Sequence, residues 1–212
     1  MVIPLEHIGL LKNKLLKIKL VRDIGIADVS KYKKLPRRVN LSDYLIDVKS
    51  AIVYIAKIND IIDKYGKWYI VSLNNFLKQT NQKIVTILDK YRIKAIGIID
   101  EHLNKDLIGK VSFRYLAVLA GLGTIGINSC LIHPIYGPNV LIGIVLVNEV
   151  FPYDGPFNGE VCLKCDLCIN NCPVQAIHND HFDKWTCKNR RKILGKGCGT
   201  PCLAGCPIGQ GT

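Results

Sequence analysis

Apolar residues at positions 5, 8, 11, 15 and 18 step by three and four, which lays one apolar stripe along a helix from Leu5 to Leu20. The stretch Asp23-Ile24-Gly25-Ile26-Ala27 and the run from Ser50 to Lys57 are instead short, β-branched and apolar, so they predict strands. A long helix follows over Lys67 to Lys90, with Leu73, Leu77, Ile84 and Leu88 on one face, and then a strand at Lys94 to Ile99. Ser112 is placed to cap a helix from Phe113 to Ala120, and Val140 to Val147 is a buried β-run. Helices interleaved with strands predict an α/β (α+β) lobe over residues 1–150. Phe151 to Gly159, with Pro152, Gly155, Pro156 and Gly159, is the natural linker into a second, smaller domain over residues 151–212.

The chain has 212 residues, 49% hydrophobic and 22% charged, which suits one core with a small satellite and excludes a disordered, collagen-like or coiled-coil protein. No charged side chain occurs from Tyr115 to Asn148, but Gly121, Gly123, Gly126, Asn128, His133, Pro134, Gly137, Pro138 and Asn139 break that stretch before it becomes a membrane span. Glu6, His7 and the lysines from Lys12 onward do not suit a signal peptide, so a cytoplasmic protein without a membrane partner is expected. The formal net charge is +12. Residues 1–150 carry 22 Lys/Arg against 12 Asp/Glu, and residues 151–212 carry 7 against 5. Lys31, Lys33, Lys34, Arg37 and Arg38 form the densest patch, which suits either a nucleic-acid contact or a solvated helix face.

Cysteine placement changes the picture most. Eight of the nine cysteines fall between Cys162 and Cys206. Cys162-x2-Cys165-x2-Cys168-x3-Cys172-Pro173 is the bacterial ferredoxin run, in which three thiolates bind three irons of one [4Fe-4S] cubane and the fourth ligates a second cluster. Zinc favours four ligands in two separated pairs, and a reducing compartment disfavours disulfides. The second set is Cys187, then Cys198-x3-Cys202-x3-Cys206-Pro207, whose Cys-Pro ending repeats the first. Two halves that exchange their last ligands place one cluster on Cys162, Cys165, Cys168 and Cys206, and the other on Cys172, Cys187, Cys198 and Cys202. Gly195, Gly197, Gly199 and Gly205 allow tight turns around the clusters. Cys130, in Asn128-Ser129-Cys130-Leu131-Ile132, reads as a structural thiol at the start of an apolar strand. Paired cubanes form a relay for single electrons, and the 150 residues ahead of them are expected to hold what the electrons reach.

Gly121-Leu122-Gly123-Thr124-Ile125-Gly126 matches the dinucleotide fingerprint G-x-G-x-x-G in form only. That fingerprint follows a strand and opens a helix, whereas here a helix precedes and an extended segment follows. The glycines therefore either admit something flat and bulky against the backbone or end the helix.

The string Ala117-x2-Ala120-Gly121-Leu122-Gly123-x-Ile125-Gly126-x-Asn128, then Leu131-Ile132-x-Pro134-x-Tyr136-Gly137, then the two cysteine motifs in order, resembles the epoxyqueuosine reductase family and its relatives, the corrinoid-dependent reductive dehalogenases. The resemblance covers most of the chain and is strongest from Phe113 to Pro207. It implies a nitroreductase-like N-terminal lobe holding a cobalamin and a ferredoxin-like C-terminal lobe whose two [4Fe-4S] clusters reduce the cobalt. Cofactor contacts are then expected from Gly121, Gly123, Gly126, Asn128 and His133, with His102 a further candidate. The nearest match to the family's catalytic carboxylate is Asp100, further upstream of Ala120-Gly121-Leu122-Gly123 than the family places it; otherwise it is a strand-end residue that is solvated or caps a turn. Two further departures accompany the match. Cys198 and Cys202 are separated by three residues where the family usually has two, and the chain is shorter than the tRNA-modifying reductases. The function expected is an anaerobic, cytoplasmic iron–sulfur oxidoreductase fed by a low-potential electron donor, with tRNA as one possible partner. The alternative is an electron-transfer subunit or reductive activator that docks on a separate metalloenzyme and turns over no substrate.

Overall fold

A computed structural model of the chain describes residues 5–34, 40–65, 69–99, 110–196, 198 and 200–211. In chain order the elements are α1 (Leu5–Leu16), β1 (Asp23–Asp28), β2 (Ser50–Lys57), α2 (Ile58–Tyr65), α3 (Tyr69–Asp89), β3 (Ala95–Ile98), α4 (Phe113–Leu119), β4 (Thr124–Ile125), β5 (Leu131–Ile132), β6 (Val140–Val147), α5 (Leu167–Asn170), α6 (Lys184–Leu194) and α7 (Pro201–Ala204). They sort into two units, residues 1–122 with 141–158, and residues 123–140 with 159–212. The segment carrying the last two glycines of the fingerprint thus groups with the cysteine-rich tail, and the later boundary falls after residue 158.

The first unit is built on a four-stranded sheet in the order β1-β2-β6-β3. β1 and β2 are antiparallel with Ile26 opposite Ile52, and β3 and β6 are antiparallel with Gly97 opposite Val145. The long apolar runs of β2 and β6 explain their central places, because such strands have no polar face to give to water. Residues Ala51 to Ala56 are all 1% exposed or less. Ile61, Phe76, Ile84, Leu88, Val145 and Phe151 complete the core. Each large side chain buried there contributes roughly 1.5–3 kcal/mol.

One polar tie crosses this core. The hydroxyl of Tyr54 on β2 donates to Asn81 Oδ1 on α3 at 2.9 Å, and Asn81 Nδ2 donates to the carbonyl of Ile98 on β3 at 3.2 Å. Burial pushes the Tyr54 hydroxyl's pKa far up, so it stays a donor.

The predicted strands and long helix all form, with two differences. α1 ends at Leu16, since Lys17 to Leu20 turn away with Leu20 in the left-handed region at φ 72°. The eight residues of α2, read as no element in advance, form a helix that packs on α3 and β2. No described helix is long and apolar enough to cross a membrane.

Candidate metal centre

The second unit opens where α4 ends. Ser112 Oγ accepts from Tyr115 N–H at 3.4 Å, as the sequence predicts for its N-cap. At the other end Gly121 N–H donates to the Val118 carbonyl and Leu122 N–H to the Ala117 carbonyl, both at 3.0 Å, with Gly121 left-handed at φ 76°. This is a Schellman ending, which glycine adopts without the steric cost of a Cβ. Gly123 lies so close to the Ile132 carbonyl that any side chain would collide with it. Gly126 N–H donates to the Cys130 carbonyl at 2.9 Å across the β4–β5 hairpin, whose register pairs Thr124 with Ile132. What approaches the glycines is the chain itself, backbone at Gly121 and Gly123 and the side chains of Ile132 and Asn128 at Gly126.

The polar residues beside this hairpin are also engaged. Asn128, 4% exposed, accepts from Cys130 N–H through Oδ1 and donates through Nδ2 to the Cys202 carbonyl, both at 3.1 Å. His133, 1% exposed, accepts through Nδ1 from the N–H groups of Ile135 at 3.1 Å and Tyr136 at 3.2 Å, and its ring stacks on Tyr136. Asp100 and His102 lie outside the described residues, as do Gly197 and Gly199.

The cysteine loops are coiled by left-handed residues that are not glycine. Lys164 has φ 51° and Asp166 φ 58°, between Cys162, Cys165 and Cys168. Such positions disfavour Cβ and persist where the surroundings dictate them. Cys162, Cys165, Cys168 and Cys206 line one cavity, together with Asn128 and the apolar side chains of Ile132, Leu167 and Ile208. Burial first, then the neighbouring Cys162 and Cys165, pushes the Cys168 thiol up; burial first, then the same two cysteines against a lowering backbone hydrogen bond at Ile208, pushes up Cys206.

Cys172, Cys187, Cys198 and Cys202 form the other neighbourhood. Cys202 is pushed up to about 12, chiefly by burial and then by Cys130, Cys187, Cys198 and Cys172. Burial also raises Cys187, opposed by Arg190 and reinforced by Cys198 and Cys172. Ala176 N–H donates to Cys172 Sγ at 3.3 Å, the kind of bond that stabilises a thiolate ligand.

A repeat underlies the two halves. Asp166 and Thr200 are left-handed residues preceding four-residue helices, α5 and α7, each with a cysteine second, Cys168 and Cys202. The backbone bonds recur 34 residues apart: Asn170 N–H to the Asp166 carbonyl matches Ala204 to Thr200, and Cys172 to Ile169 matches Cys206 to Leu203. The helices pack on each other, and Asn171 sits where its counterpart Gly205 lacks a side chain; a Cβ there would lie 2.7 Å from the Asn171 amide. Under this repeat Cys165 corresponds to residue 199, so Cys198 has slipped by one, which accounts for its longer spacing to Cys202. The Cys-Pro endings signalled the repeat in the sequence; the left-handed caps carried no signal of their own.

None of the nine cysteines forms a disulfide. Among the described residues no three His, Cys, Asp or Glu side chains close around a single metal ion. A zinc ion, with bonds of about 2.3 Å to sulfur, needs its thiolates nearly touching. A cubane interposes four irons and four sulfides and asks for a wider ring of thiols around a cavity, which the first cysteine set fits.

No family model matches the chain. Among curated proteins it is similar to an epoxyqueuosine reductase of Bacillus anthracis, 31% identical over an alignment of 140 positions that covers 58% of this chain and 36% of the relative. It is also similar to one of Synechocystis, 31% identical over 136 residues, 56% of this chain and 47% of the relative. The matched part therefore spans about a third to a half of these relatives. An epoxyqueuosine reductase solved with an epoxyqueuosine-modified tRNA-Tyr stem loop shares the fold at a TM-score of 0.73 and 21% identity, covering 97% of this chain and 66% of that one. A catabolic reductive dehalogenase in complex with 3-bromo-4-hydroxybenzoic acid does so at 0.70 and 15%, covering 90% of this chain and 30% of that one. At such identities the structures speak for the fold, which is that of epoxyqueuosine reductases and reductive dehalogenases.

Proposed function

We propose that this chain is an epoxyqueuosine-reductase-like iron–sulfur oxidoreductase that passes single electrons through two [4Fe-4S] clusters to an acceptor. The observation that carries this reading is the grouping of eight thiols into two sets, each completed by the cysteine that ends the other half. Cys162, Cys165, Cys168 and Cys206 would hold one cluster, and Cys172, Cys187, Cys198 and Cys202 the other. Bound there, each cluster would supply a one-electron couple, and the pair a short relay. The chain's contribution is positional. Asn128 holds the Cys202 carbonyl while lining the other cavity, Ala176 N–H stabilises the Cys172 sulfur, and the apolar side chains of Ile132, Leu167 and Ile208 limit water at the first site.

The acceptor we assign is a corrinoid in the N-terminal lobe, on the likeness in fold to a reductive dehalogenase of B12-dependent dehalogenation. Asp100 is the residue we assign to proton supply. A tRNA is carried as a candidate partner on the neighbour solved with a stem loop. One observation favours the alternative, an electron-transfer subunit or reductive activator for a separate metalloenzyme. Gly121, Gly123, Gly126, Asn128 and His133 are engaged by the chain's own contacts, so a corrinoid would take its cradle from other residues of the lobe. Anaerobic purification followed by acid extraction and a visible spectrum decides the acceptor. Corrinoid bands near one equivalent are expected, whereas iron and sulfide without corrinoid would overturn that assignment in favour of the alternative.

A further inference from the structure

Resting on the relay reading, we infer that the exposed face of α6 is the docking surface for an acidic one-electron carrier protein. From residue 184 to the last residue the sequence has six Lys/Arg and no Asp or Glu. The last acid before them, Asp183, is folded back as the N-cap of α6, its carboxylate accepting from Trp185 N–H at 2.9 Å and Thr186 N–H at 3.0 Å. Within α6 the exposed residues 185, 188, 189, 192 and 193 step by three and four, so they form one face. That face reads Trp, Lys, Asn, Lys, Ile, and the exposed Lys196 follows just beyond the left-handed Gly195 that ends the helix.

Trp185 is 45% and Ile193 56% exposed, and eight residues of helix separate them by about 12 Å. Apolar anchors set among lysines suit a protein interface, where a desolvated aromatic supplies the contact energy and surrounding charges steer the approach. A nucleic acid would use the same lysines, but its bases need a bare ring to stack on. Here the Lys188 ammonium stands 5.5 Å over the Trp185 ring. The deciding point is placement: Cys187, of the second cysteine set, is on this same helix. A helix with its side chains is about 10–12 Å across, so a carrier seated on α6 brings its redox centre close to that thiol. The step itself is simple. One electron leaves the reduced carrier, which is oxidised by one, and enters a [4Fe-4S]2+ cluster, which becomes 1+, with no bond or proton changing place.

The test uses the full chain loaded with iron and sulfide without air, and a plant-type [2Fe-2S] ferredoxin as the acidic carrier. In the Lys188→Glu/Lys192→Glu double variant, the second-order rate of cluster reduction by reduced ferredoxin at low salt should fall about tenfold, its salt dependence should flatten, and the Kd for oxidised ferredoxin by calorimetry should weaken by a similar factor. Lys188→Arg/Lys192→Arg should match the parent on both counts, and reduction by methyl viologen radical should be the same in all three proteins. Unchanged ferredoxin rate and Kd in the charge-reversed variant would overturn the docking face. So would loss of tRNA stem-loop binding in that variant with ferredoxin behaviour intact, which would assign the face to RNA. Failure of methyl viologen to reduce the parent would instead sink the relay reading, and the calorimetric Kd would still judge the face on its own.

Discussion

Asn128 shows what one buried side chain does here. Its amide joins the backbone of Cys130 to that of Cys202 while standing in the wall of the cavity lined by Cys162, Cys165, Cys168 and Cys206. Removing it takes this partner from a part-buried N–H and a part-buried carbonyl, a loss of about 1 kcal/mol. Asn128→Ala should therefore lower the denaturant midpoint of the iron-loaded protein with an unchanged slope, and Asn128→Asp, which keeps the acceptor to Cys130, should lie between; a midpoint equal to the parent's in Asn128→Ala would refute this role. From the sequence, Asn128 and His133 read as cofactor contacts, and in the structure both side chains engage backbone groups of the chain itself. Asparagine and histidine suit a ligand and a tight turn for the same reason, a short polar side chain that accepts backbone N–H groups, and a string of letters does not say whose N–H is nearest.

Among the elements, those with a clear period were legible. β2 and β6 announced themselves as unbroken apolar runs, α3 as a long stripe, and α4 by its Ser112 cap. α2 was not, because eight residues with Asp60, Asp63 and Lys64 give a stripe too short to distinguish from a turn, and its helix depends on packing against α3 and β2. The 34-residue repeat of α5 and α7 was legible only at its Cys-Pro endings. α6 is hidden in the charge balance of residues 151–212, where Asp154, Glu160, Asp166, Asp180 and Asp183 offset its lysines. Its cap carries a prediction with a definite sign. The Thr186 hydroxyl, aided by the Thr186 and Trp185 N–H groups, holds the Asp183 carboxyl below its usual range. A lowered carboxyl stabilises the fold fully above the ordinary value of about 3.9, and that contribution is lost as pH falls through the lower folded value. Amide-exchange protection at Trp185 and Thr186, corrected for intrinsic rates, should thus be flat from about pH 5 to 8 in the parent. Asp183→Ala should lose protection at both amides throughout that range, while Asp183→Asn, still an acceptor, should keep most of it. A pH-dependent decline in the parent within that window would contradict the cap.

At the scale of the whole molecule, the chain joins an α/β unit to a cysteine-rich unit that borrows the hairpin of residues 123–140 from the middle of the sequence. One change of unit falls within Phe151 to Gly159, and another within the glycine motif, where a helix stop and a hairpin read as a single string. Cys172 and Cys206 tie the two cysteine sets together, since each ends one half and belongs with the thiols of the other. The acceptor was not legible for a plainer reason: no residue in the α/β unit has a spacing as specific to its ligand as the cysteines have to iron. The account therefore stands or falls on metal. Iron and acid-labile sulfide, measured per chain in protein purified entirely without air, should each come to about eight, the content of two cubanes. Zinc in place of iron, or a chain that folds with no iron at all, would contradict it.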